Sequence, residues 1–529
     1  MAMKNQNINY QLEKLTEIGV ALSSEINVSL LLEKIVLGAK QITNADGGTL
    51  YRIYGDVIKM EIVHSDSLGI RLGGSSGQPA NMPTIPLSLA DGTPNLKNVV
   101  SYSFHNNKTV NIDDAYNDQV FDFSGTKHFD AQNHYHSKSF LAVPMRSHEG
   151  DIIGMLQLIN AIDKADGQVI AFDAIAQNLT EALASQAAIV LTKQRLIADL
   201  GGLFESLVQL IATAIDDKSP HTGGHCRRVP ELTMMLAEAA HETQHGYLKD
   251  FVMTDADRYE LKIAGWLHDC GKITTPEYVI EKATKLQTIF DRIELIETRV
   301  EVLKRDYEIV MLKQQMAALA KGELPDTAIV DTFQTAMAQL DDDLVFLRRV
   351  NIGGEFMMPE DLQRIGTIAG QSWQFMGKST SLLTDEEMYN LNISRGTLTN
   401  EEREIINHHI TSTINMLEKI TFPKHLKNVP EYAGGHHEKM DGTGYPKGLN
   451  REQMSIQARS MAIADIFEAL TAKDRPYKLG KKLSEALAIL QRMKDAQHID
   501  PDLFDAFMNA KVYKRYADQF LDDYQKDVD

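Results

Sequence analysis

Two histidines stand next to each other just before a glycine-rich turn, in the run HHEKMDGTGYP of residues 436–446. Upstream, the run LHDCGK of residues 267–272 places another histidine beside a carboxylate, and downstream Asp465 lies in an apolar segment. A neutral imidazole binds iron, manganese or zinc, and a carboxylate can bridge two such ions. These residues therefore predict a metal cluster assembled from several helices, of the kind that activates water to attack phosphorus in line.

Seven candidate ligands follow one another in the second half of the chain. They are His225, His268, Asp269, His409, His436, His437 and Asp465. All lie on segments with helical periodicity, where adjacent residues point about 100° apart, so each adjacent pair suits different ions or terminal and bridging roles. His221 precedes His225 by four residues and so lies on the same helical face, which makes it an eighth candidate.

The composition limits the classes of function. A chain of 529 residues with 43% hydrophobic residues predicts two to four domains. The formal net charge of −19 argues against a protein that binds nucleic acid polymers. The two cysteines, Cys226 and Cys270, exclude a disulfide framework and fit a reducing compartment. The polar N-terminus and the absence of a long uncharged apolar run lead us to expect a cytoplasmic protein with no membrane span.

The first part of the chain mixes helical and strand patterns. Two helical segments precede a strand at residues 48–54, which turns at Gly55 into a second strand. Residues 139–160 predict a hairpin that turns at residues 149–151. The arrangement over residues 10–195 resembles a GAF domain, an antiparallel six-stranded sheet with flanking helices that senses small ligands or mediates dimerisation.

The ligand of this GAF-like region does not follow from the sequence. The signature that binds cyclic nucleotides in such domains is matched only at Asn160 and Phe172, whereas Ala161 and Ala176 replace its lysine and aspartate. Neither cyclic GMP nor cyclic AMP is therefore assigned, and the ligand is left unknown.

Apolar stripes indicate long helices elsewhere. A stripe from Ile175 to Ile211 contains no proline and predicts a long helix that pairs in a dimer, with a kink at Gly201–Gly202. Packing of this helix on its own domain is the alternative. Two further stripes, from Leu286 to Val310 and from Ile329 to Leu347, predict an antiparallel helical hairpin inserted between the metal motifs.

The paired motifs at residues 268–272 and 437–446, with residues 222–229 and 465–477 around them, resemble the HD-GYP family of bacterial cyclic dinucleotide phosphodiesterases. The resemblance covers about residues 205–520. It implies an all-α HD-superfamily fold and hydrolysis of cyclic di-GMP to pGpG and/or GMP. It also implies that a metal-activated hydroxide attacks at a site of two or three divalent ions, with iron or manganese expected.

Carried over residue by residue, the resemblance makes the seven candidates metal ligands, with Asp269 as the bridge. Lys272 becomes the cation that steadies the scissile phosphate. The substrate-binding residues that we predict are Gly444, Tyr445, Arg475 and Lys478, since a glycine lets the backbone approach, a tyrosine faces a base and the cations hold phosphate.

His221 departs from the family pattern. Two-metal members carry an aromatic residue at this position and three-metal members carry a glutamate. Residues 273–278 and the inserted hairpin also resemble the three-metal subgroup, so we predict that His221 is a ligand of a third ion.

We therefore predict a GAF-like sensory and dimerisation domain at residues 1–195, a connecting helix at 196–215 and an HD-GYP catalytic domain at 216–529, with the hairpin at about 285–350. The expected partners are a cyclic dinucleotide, a second copy of the chain and the unknown GAF ligand. Two alternatives are left open: a preference for 3′,3′-cyclic GMP-AMP, and a catalytically idle dinucleotide receptor that acts through partner proteins.

Overall fold

The computed structural model of the chain describes residues 2–25, 27–218, 224–322, 324, 326–353, 356–472 and 480–528. The chain divides into two compact units, Met1–Leu203 and Phe204–Asp529. The helices of the first unit are α1 (Ala2–Ser24), α2 (Val28–Thr43), α3 (Val99–Asn106) and α4 (Ser124–Asn133). A long helix, α5 (Ala174–Lys218), begins in the first unit and ends in the second.

The first unit is built on one antiparallel sheet. Its strands are β1 (Ala45–Tyr54), β2 (Val57–Ser65), β3 (Ile70–Leu72), β4 (Ile85–Pro86), β5 (Val110–Ile112), β6 (Phe140–Arg146), β7 (Ile152–Ile162) and β8 (Val169–Ile170). Six of them follow the order β3-β2-β1-β7-β6-β5, while β4 pairs with β2 and β8 with β7. The hairpins predicted around Gly55 and at residues 139–160 are both present, as β1–β2 and β6–β7. The predicted α+β architecture is thus confirmed for this unit.

The apolar residues of α5 have different surroundings along the helix. Leu179 and Leu183 are buried in the core that α1 and α2 form with the sheet, so this part packs on its own unit. Val208 and Ile215 are buried in the core of the second unit. Between these ends, apolar side chains are exposed to solvent. The helix runs through Gly201–Gly202 without interruption.

Among the described helices, α5 is the one that is long and apolar enough to cross a membrane when length and composition alone are considered. Its most apolar stretch of 18 residues has a mean hydropathy of 1.4, and 11% of that stretch is buried. The apolar side chains of α5 thus meet solvent over much of this stretch.

The second unit is almost entirely helical, as predicted. Its helices are α6 (His225–Glu242), α7 (Asp255–Leu267), α8 (Glu277–Ile280), α9 (Ile293–Ala320), α10 (Thr327–Asn351), α11 (Pro359–Ala369), α12 (Asp385–Leu391), α13 (Asn400–Leu417), α14 (Val429–Gly434), α15 (Ile456–Thr471), α16 (Leu483–Asp495), α17 (Pro501–Asn509) and α18 (Val512–Phe520). A short 3-10 helix spans Cys270–Thr274. Buried apolar residues of α6, α7, α15 and α17 form the main core, where Phe467 and Phe507 meet edge to face at 5.1 Å.

The inserted region contains the predicted pair of long helices, α9 and α10, which pack on each other. The first helix begins at Ile293 instead of Leu286. Asp291 explains the later start, because its carboxylate accepts hydrogen bonds from the hydroxyl of Thr284 (2.8 Å), the amide of Asn351 (2.8 Å) and the backbone N–H of Ile293 (3.0 Å). These contacts hold the preceding residues in a loop.

A two-stranded hairpin, β9 (Ser372–Phe375) and β10 (Lys378–Ser381), lies between α11 and α12 and was not predicted. Met376 and Gly377 form its turn, both with positive φ, which matches the twist of the flanking strands. Among the described residues of the second unit, β9 and β10 are the strands, and the other regular elements are helices.

Candidate metal centre

Three of the predicted histidine ligands are oriented in the same way. The Nδ1 atoms of His268, His409 and His436 lie 2.6, 2.5 and 2.6 Å from the carbonyl oxygen three residues earlier. A carbonyl oxygen can only accept, so each Nδ1 carries the proton and each Nε2 keeps a free lone pair. The three imidazoles therefore present Nε2 as an acceptor to the interior of the unit.

The ends and caps of the helices place these residues. A capping box of Thr254 and Asp257 starts α7, which ends just before His268, and a capping box of Thr399 and Glu402 starts α13, which carries His409. His436 and His437 follow α14 directly. The candidate ligands therefore lie within helices or just after them, and the packing of these helices in the main core fixes their positions.

Asp269 lies between two sets of histidines. Its Oδ2 is 3.2 Å from Nε2 of His225 and 3.3 Å from Nε2 of His268, while its Oδ1 is 3.2 Å from Nε2 of His409. The carboxylate is 2% exposed. Each oxygen of Asp269 thus faces a different group of candidate ligands, an arrangement that would allow the carboxylate to bridge two ions.

The other predicted ligands complete the cluster. Asp465, on α15, has its Oδ1 3.2 Å from Nε2 of His225. The ring of His437 lies 4.4 Å from that of His436 and 5.2 Å from that of His409. Ligand atoms lie within 4.8 Å of one another in three groups, namely His409, His436 and His437; His225, His268 and Asp465; and His268, Asp269 and His436.

His225 is oriented by a carboxylate instead of a carbonyl. Its Nδ1 lies 2.5 Å from Oε2 of Glu468, and the other oxygen of Glu468 accepts a hydrogen bond of 2.7 Å from Nε of Arg228. Glu468 is buried, and burial opposes its ionisation, but His225 and Arg228 lower its pKa. Sequence reasoning missed Glu468, although it follows Asp465 by three residues on one helix and so shares its face.

The glycine-rich turn packs against the cluster. The ring of Tyr445 stacks on that of His437 at 4.9 Å with an interplanar angle of 15°. Gly444 leaves no room for a side chain, because a Cβ would contact the backbone of Glu438 and Lys439. The buried carboxylate of Glu438 accepts the backbone N–H groups of Lys447 (2.7 Å) and Leu449 (2.9 Å), which fixes the turn.

Some groups of the cluster are charged near neutral pH and others are neutral, as the shifts of their pKa values indicate. Burial opposes ionisation of Asp269, but Lys272 and the imidazoles hold its pKa well below the usual value. Burial likewise opposes the charge of Lys272, yet Asp269 and Asp465 raise its pKa. Burial lowers the pKa of His437 to about 4 and also lowers that of His436. Near neutral pH both histidines are therefore neutral and able to donate lone pairs.

The donor set fits divalent metal ions. The buried Nε2 atoms of His409 and His436 have no hydrogen-bond partner among the described residues. An orphaned buried acceptor costs free energy unless another group meets it, and a metal ion would do so. Imidazole nitrogens combined with carboxylate oxygens suit iron, manganese or zinc better than calcium.

Three predicted site residues lie outside the part of the chain that the structure describes. They are His221, Arg475 and Lys478. The structure brings together the other predicted ligands, together with Lys272, Gly444 and Tyr445, in one buried region of the second unit.

Two family models match parts of the chain. A family model described as a GAF domain matches residues 27–191, and one described as an HD domain matches residues 382–503. The chain carries a GAF domain and an HD domain. The HD match includes His409, His436, His437 and Asp465, whereas the inserted region separates it from the ligands at His225, His268 and Asp269.

Three curated relatives have similar segments. A 3′3′-cGAMP-specific phosphodiesterase of Vibrio cholerae is 38% identical over 115 residues, which are 22% of this chain and 24% of the relative. A cyclic di-GMP phosphodiesterase of Thermotoga maritima is 30% identical over 175 residues, 30% of this chain and 47% of the relative. Another from Pseudomonas aeruginosa is 40% identical over 116 residues, 22% and 27% of the two chains. The chain thus spans less than half the length of each of these relatives.

Proposed function

We propose that this chain is a metal-dependent signalling phosphodiesterase that hydrolyses cyclic di-GMP to pGpG and/or GMP. The observation that carries the proposal is the position of Asp269, whose two oxygens face different histidines while Lys272 lies 2.5 Å away. A bridging carboxylate beside a buried cation suits the attack of water on a phosphodiester. The names of the relatives support the same substrate class.

Each side chain has a definable task in this reaction. Divalent ions held by the cluster, iron or manganese by preference, would supply Lewis-acid stabilisation and lower the pKa of water. Lys272 is charged near neutral pH and can hold a non-bridging oxygen of the phosphate as its charge grows. Burial raises the pKa of Tyr445 to about 12, so its phenol stays protonated and can donate a hydrogen bond to substrate.

One experiment tests this proposal. The full chain, purified without oxygen, is analysed for metal and incubated with cyclic di-GMP, and the products are separated by chromatography. Asp269→Ala is expected to lose metal and to abolish turnover, because ions at catalytic spacing repel each other without the bridge. The exposed Asp217→Ala is the matched control and should keep both. Wild-type metal content and turnover in a folded Asp269→Ala would overturn the assignment.

The name of one relative favours a second candidate substrate, 3′3′-cGAMP. The relative that is 38% identical over 115 residues is named as specific for 3′3′-cGAMP. Incubation of the same enzyme with both dinucleotides at equal concentration decides which ring is opened faster. A metal-loaded chain that binds a dinucleotide tightly and cleaves neither would instead be a receptor.

The number of ions depends on His221. We propose that it holds a third ion more weakly than a glutamate would, since a neutral imidazole leaves the cluster one negative charge short. His221→Ala should then lower the metal content from about three to about two ions per chain, and His221→Glu should retain the third. Equal metal content in wild type and His221→Ala would make the site a two-metal one.

Regulation is proposed to come from the GAF domain through a homodimer in the cytoplasm. Six apolar residues of α5 recur at steps of three, four or seven and are each 50–64% exposed, namely Ile189, Leu196, Leu200, Leu203, Leu207 and Leu210. Such a repeat is the seam of a two-stranded coiled coil, and the corresponding stripe of a second copy would cover it. We call these six residues the α5 seam.

A further inference from the structure

The last turn of α5 contacts the segment that carries Lys272. The ammonium group of Lys218 donates hydrogen bonds to the backbone carbonyls of Ile273 (2.6 Å), Thr275 (2.7 Å) and Lys272 (3.3 Å). These carbonyls lie at the C-terminal end of the 3-10 helix Cys270–Thr274. The carbonyl dipoles stabilise a cation at a helix C-terminus, so Lys218 caps the C-terminus of this 3-10 helix although it belongs to another helix.

The same turn of α5 also contacts the helix that carries His225. The carboxylate of Asp216 accepts the backbone N–H of Gly224 (3.1 Å) and of Cys226 (3.2 Å). Gly224 is the N-cap of α6 and has no side chain to cap it. The carboxylate of Asp216 therefore supplies, from a different helix, the side-chain cap that Gly224 lacks, and it lies at the positive end of the α6 dipole. We call Asp216 and Lys218 the α5 anchor.

Both segments that the anchor holds belong to the metal centre. His225 is the first residue of α6, and Asp269 immediately precedes the 3-10 helix. The 3-10 helix in turn lies directly on α13, because a Cβ on Gly271 would collide with the carbonyl of His409 and lie 2.5 Å from the backbone nitrogen of Thr413. A displacement of the 3-10 helix would therefore be passed to His409, since close-packed backbones cannot absorb it.

We infer that Asp216 and Lys218 are positioning residues through which α5 sets the geometry of the metal centre. The inference rests on the proposed function and adds a route for its regulation, since α5 begins in the GAF-containing unit and ends at the anchor. Helix shifts of about 1–2 Å are typical of switching proteins. Hydrogen bonds of 2.6–3.3 Å do not survive such a shift, so movement of α5 releases Lys272 and His225 from their places.

Hydrogen exchange in the full chain tests the Lys218 contact. In Lys218→Met, the backbone amides of residues 270–275 should exchange about tenfold to a hundredfold faster, because a hydrogen bond to a charged donor is lost. Turnover should fall with the metal content unchanged. Lys218→Arg should restore slow exchange, and Lys419→Met, an exposed lysine in the same unit, should resemble wild type. Wild-type exchange in Lys218→Met would overturn the inference.

Metal retention tests the Asp216 contact. Asp216→Ala should lose metal to a chelator faster than wild type, because the first turn of α6 is no longer held, whereas Asp216→Asn keeps an acceptor and should lie between them. The adjacent exposed Asp217→Ala should match wild type. Equal rates of metal loss in Asp216→Ala and wild type would remove Asp216 from the anchor.

A helix break upstream tests whether α5 acts through the anchor. A Cβ added at Gly201 would meet open space, so Gly201→Pro disturbs the helix itself and Gly201→Ala is its control. Gly201→Pro should speed exchange at residues 270–275 in the wild-type background and add nothing in Lys218→Met. If Gly201→Pro raised the exchange rate equally in wild type and in Lys218→Met, α5 would act on residues 270–275 by a route other than Lys218. If the wild type cleaves no dinucleotide, the proposed function fails, but the exchange and chelation measurements still decide the anchor.

Discussion

The ammonium nitrogen of Lys272 lies 2.5 Å from Oδ2 of Asp269, the same oxygen that faces His225 and His268. Burial opposes both charges, yet the pKa of Lys272 is raised and that of Asp269 is lowered, because each stabilises the other. The pair therefore remains ionised near neutral pH. A cation is thus held at the carboxylate that we propose as the bridge between metal ions.

Lys272→Met should keep its metal ions and lose at least about a hundredfold in turnover, because a single group that stabilises transition-state charge is removed. Metal analysis and single-turnover kinetics on the same preparation check both parts. Lys313→Met, an exposed lysine on α9, serves as the control. Loss of the metal ions together with turnover would show that Lys272 is needed to build the centre.

Glu468→Ala should weaken metal binding by about 10- to 100-fold, because the carboxylate that orients a ligating histidine contributes that much in comparable sites. In this chain Glu468 fixes the proton of His225 on Nδ1 and neutralises Arg228. Competition with a chromophoric chelator measures the affinity, and a thermal melt checks the fold. Glu452→Ala, an exposed glutamate, is the control. Unchanged affinity in a folded Glu468→Ala would mean that His225 needs no such partner.

Gly271→Ala should destabilise the second unit by about 2 kcal/mol or more and impair metal binding, because a Cβ meets the backbone of His409 and Thr413. Backbone atoms cannot yield as a flexible side chain can, so the 3-10 helix must move away from α13. Chemical denaturation and metal analysis measure the two effects. Gly366→Ala, where a Cβ meets open space in α11, should be neutral or stabilising.

Asn160→Ala should destabilise the GAF-containing unit by about 2 kcal/mol or more, since buried backbone groups lose their partners. The side chain of Asn160 accepts the backbone N–H of Lys138 (2.7 Å) and donates to the carbonyl of His136 (2.8 Å) and the hydroxyl of Tyr135 (3.0 Å). These bonds join Asn160, on β7, to the segment that precedes β6. Thermal melts of Asn160→Ala and of the exposed Asn133→Ala compare the two, and an equal loss would contradict this role.

Most of the helices and strands could be predicted from the sequence, because each of them produces a pattern among residues that are neighbours in the chain. The alternation around Gly55 and the apolar spacing of α5 fix a strand or a helix without long-range information. The loop before Ile293 was missed because Asp291 is held by Asn351, far along the chain. The β9–β10 hairpin was missed because Met376 and Gly377 are a weak turn signal.

The predicted site shows the same division. The motifs and the family resemblance name the candidate ligands, but not the residues that hold those side chains in place. Glu468 carries a weak signal in its spacing from Asp465, whereas Asp216 and Lys218 carry none. Lys218 donates hydrogen bonds to backbone carbonyls of residues that follow it by more than fifty positions. Every residue has such a carbonyl, so no residue type in the sequence marks the contact. Such contacts emerge only from the folded chain.

The α5 seam is expected to hold two copies of the chain together. Leu200→Glu with Leu207→Glu should convert the expected dimer into a monomer. Both leucines are exposed in the single chain and would be buried by the coiled coil, where the two substitutions would place like charges opposite each other. Gln209→Glu adds one negative charge to the same helix outside the seam and should leave the dimer intact. Sedimentation velocity at several concentrations measures the mass. A monomeric wild type would remove the dimer, and a dimeric double variant would place its interface elsewhere on the chain.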